Sequence, residues 1–430
     1  YTVRRKMENR GTSMTISPDF KVGKFSDFMV RGKSFYAVYD ESTGLWSTDE
    51  YSIRSIIDAD LEEEYSKVCD RFGDIEINVA WASSYDSGSW KKYCKWIKEL
   101  PDNYHQLDDK LIFSNTEVKK SDYASHRLPY PLEEGCYDSF DEIIGTLYDE
   151  EERAKLEWGI GAVISGDSKS IQKFIVLYGE AGAGKSTILN IIQMLFEGYY
   201  TAFEAKALAS NNNTFSTEVF KSNPLVAIQH DGDLSRIEDN TKLNSIISHE
   251  EMSMNEKYKS SYMAKLNCFL FMATNRPVKI TDAKSGIIRR LIDVKPSGNK
   301  IEPGRYQELM SRIPFELGAI AYRCLQVYKK MGKNYYSTYR PVDMMFKTDV
   351  FFNFVEDSYL IFDRQDGVTL KQAYDMYKIY CDEAQVDYKM AKYKFREELK
   401  NYFRRFDAMK RVDDKQVRNY YSEFMREKIH

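Results

Sequence analysis

Residues 174–196 read FIVLYGEAGAGKSTILNIIQMLF, an apolar run, a glycine-rich loop and an amphipathic stretch that opens on Lys-Ser-Thr. The apolar run has the length of a buried strand, and the last stretch carries apolar side chains at helical spacing. Gly179, Gly182 and Gly184 lack a Cβ, so the backbone can curl its N–H groups around phosphate oxygens while the helix N-terminus adds a partial positive charge. The cradle of Gly179, Glu180, Ala181, Gly182, Ala183, Gly184, Lys185, Ser186 and Thr187 is therefore expected to bind a nucleoside triphosphate, ATP, with Mg²⁺. Lys185 is placed to reach the β- and γ-phosphates, and the Ser186 hydroxyl to ligate the metal. The competing reading is an ordinary glycine-rich turn, which the flanking strand and helix disfavour.

The surroundings of this stretch read as alternating strands and helices. Residues 225–228, 266–273 and 291–294 are short apolar runs, and their alternation with helical patterns predicts a parallel sheet wrapped by helices. Upstream, FYAVYDESTGLW over Phe35–Trp46 has the alternation and turn of a hairpin, and Tyr51–Phe72 and Ser89–Leu100 have helical periodicity. Ser139–Ile164 reads as one or two helices leading into the cradle strand. Downstream, helices are expected over Pro314–Met331, Asp349–Phe362, Leu370–Ala384 and Lys389–Phe406. The expected organisation is an N-terminal α+β domain over 1–135, an α/β ATPase core over 136–335 and a helical or winged-helix extension over 336–430.

With 430 residues, 43% of them hydrophobic, the chain can bury a large core. No apolar run approaches the length that spans a bilayer, and YTVRRKMENR has no secretion signal, so a soluble cytoplasmic protein without a membrane partner is expected. The six cysteines form no CxxC pair and the five histidines no metal-ligand spacing. A net charge of −4 excludes a uniformly basic coat, yet 388–430 holds 13 Lys and Arg against 7 Asp and Glu. That tail can lie on phosphate or be a solvated face. The chain opens on Tyr1, so it is read as a fragment.

A triphosphate site also needs an acid for the metal and a group to orient water, both at the C-terminal ends of strands beside the cradle. Asp231 and Asp233 follow the strand LVAIQ. Asp231 is assigned to the metal or its water shell and Asp233 is a second acid, with the division between them open and a solvated turn as the alternative. Asn275 closes FLFMATN, where a neutral amide can position water; a plain turn residue is the alternative. Arg289 and Arg290 precede the strand LIDV and offer guanidinium groups to a transferring phosphoryl, or else pair with Asp282 or Asp293. In MSMNEKYKSSYMAKL, Lys257 and Lys259 lie among tyrosines, a pattern that grips single-stranded DNA or forms an unliganded hairpin.

The order GEAGAGKST, LVAIQHDGD, NEKYK, FLFMATN and GIIRRL resembles the superfamily 3 helicases, specifically the phage and plasmid primase-associated group related to the poxvirus primase-helicase. The resemblance spans residue 174 to about residue 298, with weaker likeness outward. It implies an AAA+ P-loop fold, a homo-hexameric ring with ATP sites between subunits, and translocation on single-stranded DNA at forked duplexes. It also implies that Asn275 is the sensor, that Lys257 and Lys259 belong to the channel hairpin, and that Arg289 or Arg290 acts in trans. One departure stands out: His230 falls where the family has its first acid, and Asp231 takes the second. Any primase or polymerase lies upstream of Tyr1 or in a partner. The alternatives are another AAA+ ATPase, such as a helicase loader or protein remodeller, and a nucleotide-dependent replication scaffold.

Overall fold

The strand predicted from FIVLY lies inside the main sheet of the molecule. The computed structural model describes residues 1–21, 29–32, 36–73, 75–82, 88–100, 104–209, 216–232, 241–255, 261–275, 286–341, 350–364, 367–383, 389–412 and 415–428. The N-terminal region holds β1 (Thr2–Glu8), β2 (Ser13–Asp19), β3 (Met29–Arg31), β4 (Tyr36–Asp40), β5 (Leu45–Ser47), α1 (Glu50–Arg71), β6 (Glu76–Val79) and α2 (Gly88–Glu99). Two three-stranded sheets result, β1-β2-β6 and β3-β4-β5. The expected hairpin is present as β4 and β5, paired from Asp40 to Leu45. Asp49 caps α1 by accepting from the amides of Tyr51 and Ser52.

The middle region holds α3 (Asp138–Leu147), α4 (Glu150–Ser165), β7 (Phe174–Tyr178), α5 (Lys185–Leu195), β8 (Tyr200–Ala202), α6 (Ala205–Ala209), β9 (Val226–Gln229), α7 (Thr241–Ile247), β10 (Glu251–Met254), β11 (Tyr262–Lys265), β12 (Phe269–Thr274), β13 (Leu291–Val294) and α8 (Pro303–Met331). Five of these strands form a sheet in the order β13-β7-β12-β9-β8. Every pairing in it is parallel. The predicted α/β architecture, a parallel sheet flanked by helices, is thus present.

Alternate residues of the strands feed two cores. Ile175, Leu177, Phe269 and Phe271 pack with α3, α4, α5 and α8 on one face. Phe174, Val176, Leu270 and Met272 pack with α6, α7 and β10 on the other. Burial on both faces explains why these strands read as continuous apolar runs. Phe113, Leu128 and Tyr130, from the loop preceding α3, belong to the first of these cores.

Two helical expectations change in the structure. The helix expected from Pro314 begins at Pro303 and carries Pro314 in its interior. Glu302 caps it by accepting from the amide of Arg305, and Pro303 occupies the first turn, where its missing N–H costs nothing. The last expected helix, 389–406, is shorter. After α9 (Val350–Arg364), β14 (Val368–Thr369) and α10 (Leu370–Glu383) comes α11 (Lys392–Leu399), and the chain then turns into β15 (Phe403–Val412) and β16 (Lys415–Phe424). These give a three-stranded sheet in the order β14-β16-β15. Its core is aromatic, with Phe351 and Phe395 rings 5.2 Å apart and Phe354 and Tyr377 rings 5.4 Å apart.

Candidate nucleotide-binding site

Parallel pairing brings the carboxyl ends of β7, β9 and β12 to one edge of the sheet. The amide of Gly179 bonds the carbonyl of Thr274 at 3.3 Å, and that of Gly232 the carbonyl of Ala273 at 3.0 Å, so the three exits are tied together. A cavity of about 400 Å³ opens at this edge. Its wall includes Ala181, Gly182, Gly184, Lys185, Ser186 and Thr187 from the glycine-rich loop and α5, His230 and Asp231 after β9, and Asn275 after β12.

The loop has the conformation that its glycines permit. Gly182 and Gly184 have φ of +78° and +87°, in the left-handed region that a side chain disfavours. Gly184 is the N-cap of α5, and no side chain caps that helix. The first-turn amides of α5 have no intrahelical partners and stand at the cavity wall. Lys185 is 6% exposed and its ammonium donates to the carbonyls of Gly179 and Glu180, each at 2.7 Å. Burial pushes its pKa down, with Asp231 opposing the shift.

Asp231 and Asn275 meet across the cavity mouth, where the Asn275 amide donates to Asp231 Oδ1 at 3.3 Å. His230 shares a hydrogen bond of 3.2 Å between its Nε2 and Gln193 Oε1, which ties it to α5, and burial lowers its pKa. Leu147, which packs against Gly184, and Lys300, Ile301 and Tyr306 complete the cavity wall. The hydroxyls of Thr187 and Tyr306 are 3.4 Å apart. The arrangement suits an anion with an apolar part: uncapped amides and lysine ammonium groups share the wall with apolar and aromatic side chains. A hydroxyl and a carboxylate, Ser186 and Asp231, are the oxygen donors that a hard divalent cation takes.

A family of unknown function, DUF5906, matches residues 177–290, which is less than half of the chain. No curated protein matches it. Among solved structures, the A-form apo C-terminal region of NrS-1 is similar at 15% identity and a TM-score of 0.44, over 79% of this chain and 92% of that one. An apo structure of the NrS-1 C-terminal region (305–718) gives 13% identity and a TM-score of 0.41, over 77% and 89% of the two chains. An A-form structure of the same span gives 12% and 0.45, over 90% and 94%. Values at this level assign neither a fold nor a function to the chain.

The structure does not bring every expected residue to the cavity. Arg289 and Arg290 precede β13, and Lys173 precedes β7, so all three sit at the amino edge of the sheet. β7 is five residues long, which separates the two edges by about 16 Å. There a second cavity of about 390 Å³ is lined by Lys173, Arg289, Arg290 and Lys333, among others. Arg290 is 8% exposed and is held by Asn244 Oδ1 at 3.1 Å and the Gly286 carbonyl at 3.4 Å. Arg289 is exposed. Asp293, one candidate ion-pair partner for these arginines, accepts instead from the Tyr339 hydroxyl. Lys173 donates to the Arg289 and Tyr339 carbonyls, and burial lowers its pKa to about 8.

Asp233, Lys257, Lys259 and Asp282 lie outside the described residues. Flanking Lys257 and Lys259, β10 and β11 form an antiparallel ribbon from Glu251–Lys265 to Met254–Tyr262. Sequence reasoning missed Leu147, Lys300, Ile301 and Tyr306. The signal that could have found the last three is the Glu-Pro-Gly run at 302–304, a helix start directly after the fourth predicted strand.

Proposed function

We propose that this chain is an ATP-driven DNA helicase of superfamily 3, of the phage and plasmid primase-associated group, working as a homo-hexameric AAA+ ring. The observation that carries the reading is the convergence of the glycine-rich loop, Asp231 and Asn275 from three adjacent parallel strands on one cavity. Phosphate oxygens take the α5 amides and draw Lys185 off the carbonyls of Gly179 and Glu180. Ser186 and Asp231 would hold Mg²⁺, which when bound neutralises charge on the phosphates. Asn275 donates to Asp231 through its nitrogen, which leaves its oxygen to orient the attacking water. Leu147, Ile301 and Tyr306 offer the base an apolar wall.

Arg289 is the exposed arginine of the pair, too far from the cavity of its own chain, and therefore suited to the phosphates of a neighbouring subunit. Lys257 and Lys259, between the strands of the β10–β11 ribbon, are assigned to single-stranded DNA in the channel. Forked duplex DNA is the substrate, and a primase or polymerase is the functional partner. The test is ATP hydrolysis by the purified protein with and without a single-stranded oligonucleotide, alongside particle mass. Stimulation by the oligonucleotide in a hexamer supports the helicase. Hydrolysis indifferent to DNA favours a loader or remodeller, and absence of hydrolysis favours a scaffold.

A further inference from the structure

A third cavity, of about 200 Å³, opens where the N-terminal region meets the β10–β11 ribbon. Two tyrosines line it, Tyr104 from the N-terminal region and Tyr262 from the ribbon. The segment that carries Tyr104 is held on β3: Tyr104 forms a parallel bridge with Arg31, and the amide of His105 donates to the Arg31 carbonyl at 2.9 Å. The Arg31 guanidinium lies over the Tyr104 ring, 5.4 Å from its centroid, and steadies it from one face. Tyr104 is 37% exposed. Tyr262 opens β11 and stands opposite Met254 in the ribbon register.

The rest of the wall combines buried apolar side chains with amides. Phe220, Met254 and Leu266 are buried and form its apolar part. Asn223 has a φ of +53°, in the left-handed region that asparagine tolerates, and its Nδ2 is buried without a hydrogen-bond partner. A buried amide left in that state is costly, and it is the kind of group that a ligand completes. Gln106 and Asn267 add two further amides. Lys221 and Lys265 are exposed members of the wall, and Glu251 stands opposite Lys265 in the register.

We propose that this cavity receives one unstacked base of a DNA single strand, which stacks on Tyr104 and is met along its edge by the Asn223 amide. The inference rests on the assignment of the β10–β11 ribbon to single-stranded DNA. Aromatic faces take any base, and amides supply the donors and acceptors that a base edge pairs with. With half the volume of the nucleotide cavity, the space holds a base and leaves no room for a triphosphate as well. A base inside a duplex is paired and stacked and cannot enter, so the site selects unpaired strand. Lys221 and Lys265 bring positive charge to the adjoining phosphates, the second offset by Glu251. A strand drawn along by the ribbon is then gripped by a base as well as by its backbone, at the point where the N-terminal region abuts the ribbon.

The test is fluorescence anisotropy of the full chain with a labelled single-stranded deoxyoligonucleotide and with an abasic oligonucleotide of the same length, over a range of salt. The chain should bind the first about tenfold more tightly, the scale of stacking one base. Tyr104→Ala should remove most of that preference and leave the abasic affinity and the salt slope unchanged, because the ring touches no phosphate. Tyr104→Phe should retain the preference, which separates the stacking face from the hydroxyl. Asn223→Ala should reduce it a few-fold, and unequally among homopolymers of the four bases. Equal affinity of the unmodified chain for the two oligonucleotides, or an equal loss of both in Tyr104→Ala, overturns the proposal and leaves the assignment of the ribbon to DNA standing. Failure of the chain to bind either oligonucleotide overturns both.

Discussion

The carboxyl edge of the parallel sheet and the outer surface of the C-terminal unit both gather positive charge, but they hold it differently. At the sheet edge the Lys185 ammonium is 6% exposed and already bonded to two carbonyls of its own loop. At the C-terminal surface most of the cations on α11 and β15–β16 are exposed. A buried charge acts in a low dielectric and is hard to replace, whereas exposed charges are screened and act additively. The first region should fail all at once when a single group is removed. The second should weaken by degrees.

The largest contrast is in stability. Phe271 is fully buried in the middle of the sheet, so Phe271→Ala should cost about 3–5 kcal/mol in chemical denaturation. Met409, 59% exposed on the hairpin, should change stability by less than about 0.5 kcal/mol as Met409→Ala. Equal losses would mean that the hairpin packs against something within the chain, and the contrast would be void.

Next is the single ammonium. Lys185→Ala should lower ATP turnover about 10²- to 10³-fold, the scale for removing one charge-stabilising donor, while circular dichroism stays unchanged. Turnover close to that of the unmodified chain would remove the glycine-rich loop from the chemistry.

This contrast also explains what the sequence made legible. The stretch from Phe174 to Phe196 encodes its structure locally: apolar residues need two-sided burial, and the φ of Gly182 and Gly184 demands glycine. Asp231 and Asn275 then follow from strand ends. Leu147, Ile301 and Tyr306 reach the same cavity through tertiary packing of α3 and α8, which no local pattern records. The hairpin β15–β16 is not legible because most of β15 is exposed on both faces, which erases the period-two signal and leaves its first residues, FRRF at 403–406, looking like the tail of a helix. Pro314 was read as a helix start although the capped start lies at Glu302–Pro303.

A smaller effect probes how α8 holds the sheet edge in place. Glu316, 9% exposed on α8, accepts from the amides of Ser139 at 3.1 Å and Phe140 at 3.0 Å, and so caps α3, whose own N-cap residue makes no side-chain bond. Glu316→Ala should cost about 1–3 kcal/mol, read as a lower denaturation midpoint. Leu147, at the other end of α3, lines the cavity, so ATP affinity should fall as well. A stability loss with unchanged affinity would detach α3 from the site.

The smallest effect lies between the two regimes, at a half-exposed charge. His126 Nδ1 is 2.9 Å from Asp108 Oδ2, with the histidine side chain 48% exposed. The hydrogen bond that its ring donates to Asp108 raises the histidine pKa above its ordinary 6.5, against the opposing effect of burial. A raised histidine pKa stabilises the fold fully below 6.5, and that contribution is lost as pH rises through the folded value. Asp108→Asn should therefore lower the unfolding free energy more at about pH 5.5 than at about pH 8.5, in chemical denaturation at the two pH values, with a difference below about 1 kcal/mol because solvent screens the pair. Asp108 also accepts from the amides of Ser125 at 2.6 Å and His126 at 3.1 Å, and those bonds do not titrate with the histidine. An equal loss at both pH values would assign the whole role of Asp108 to these amides, and the charge of His126 would then behave like the solvated cations of the C-terminal surface.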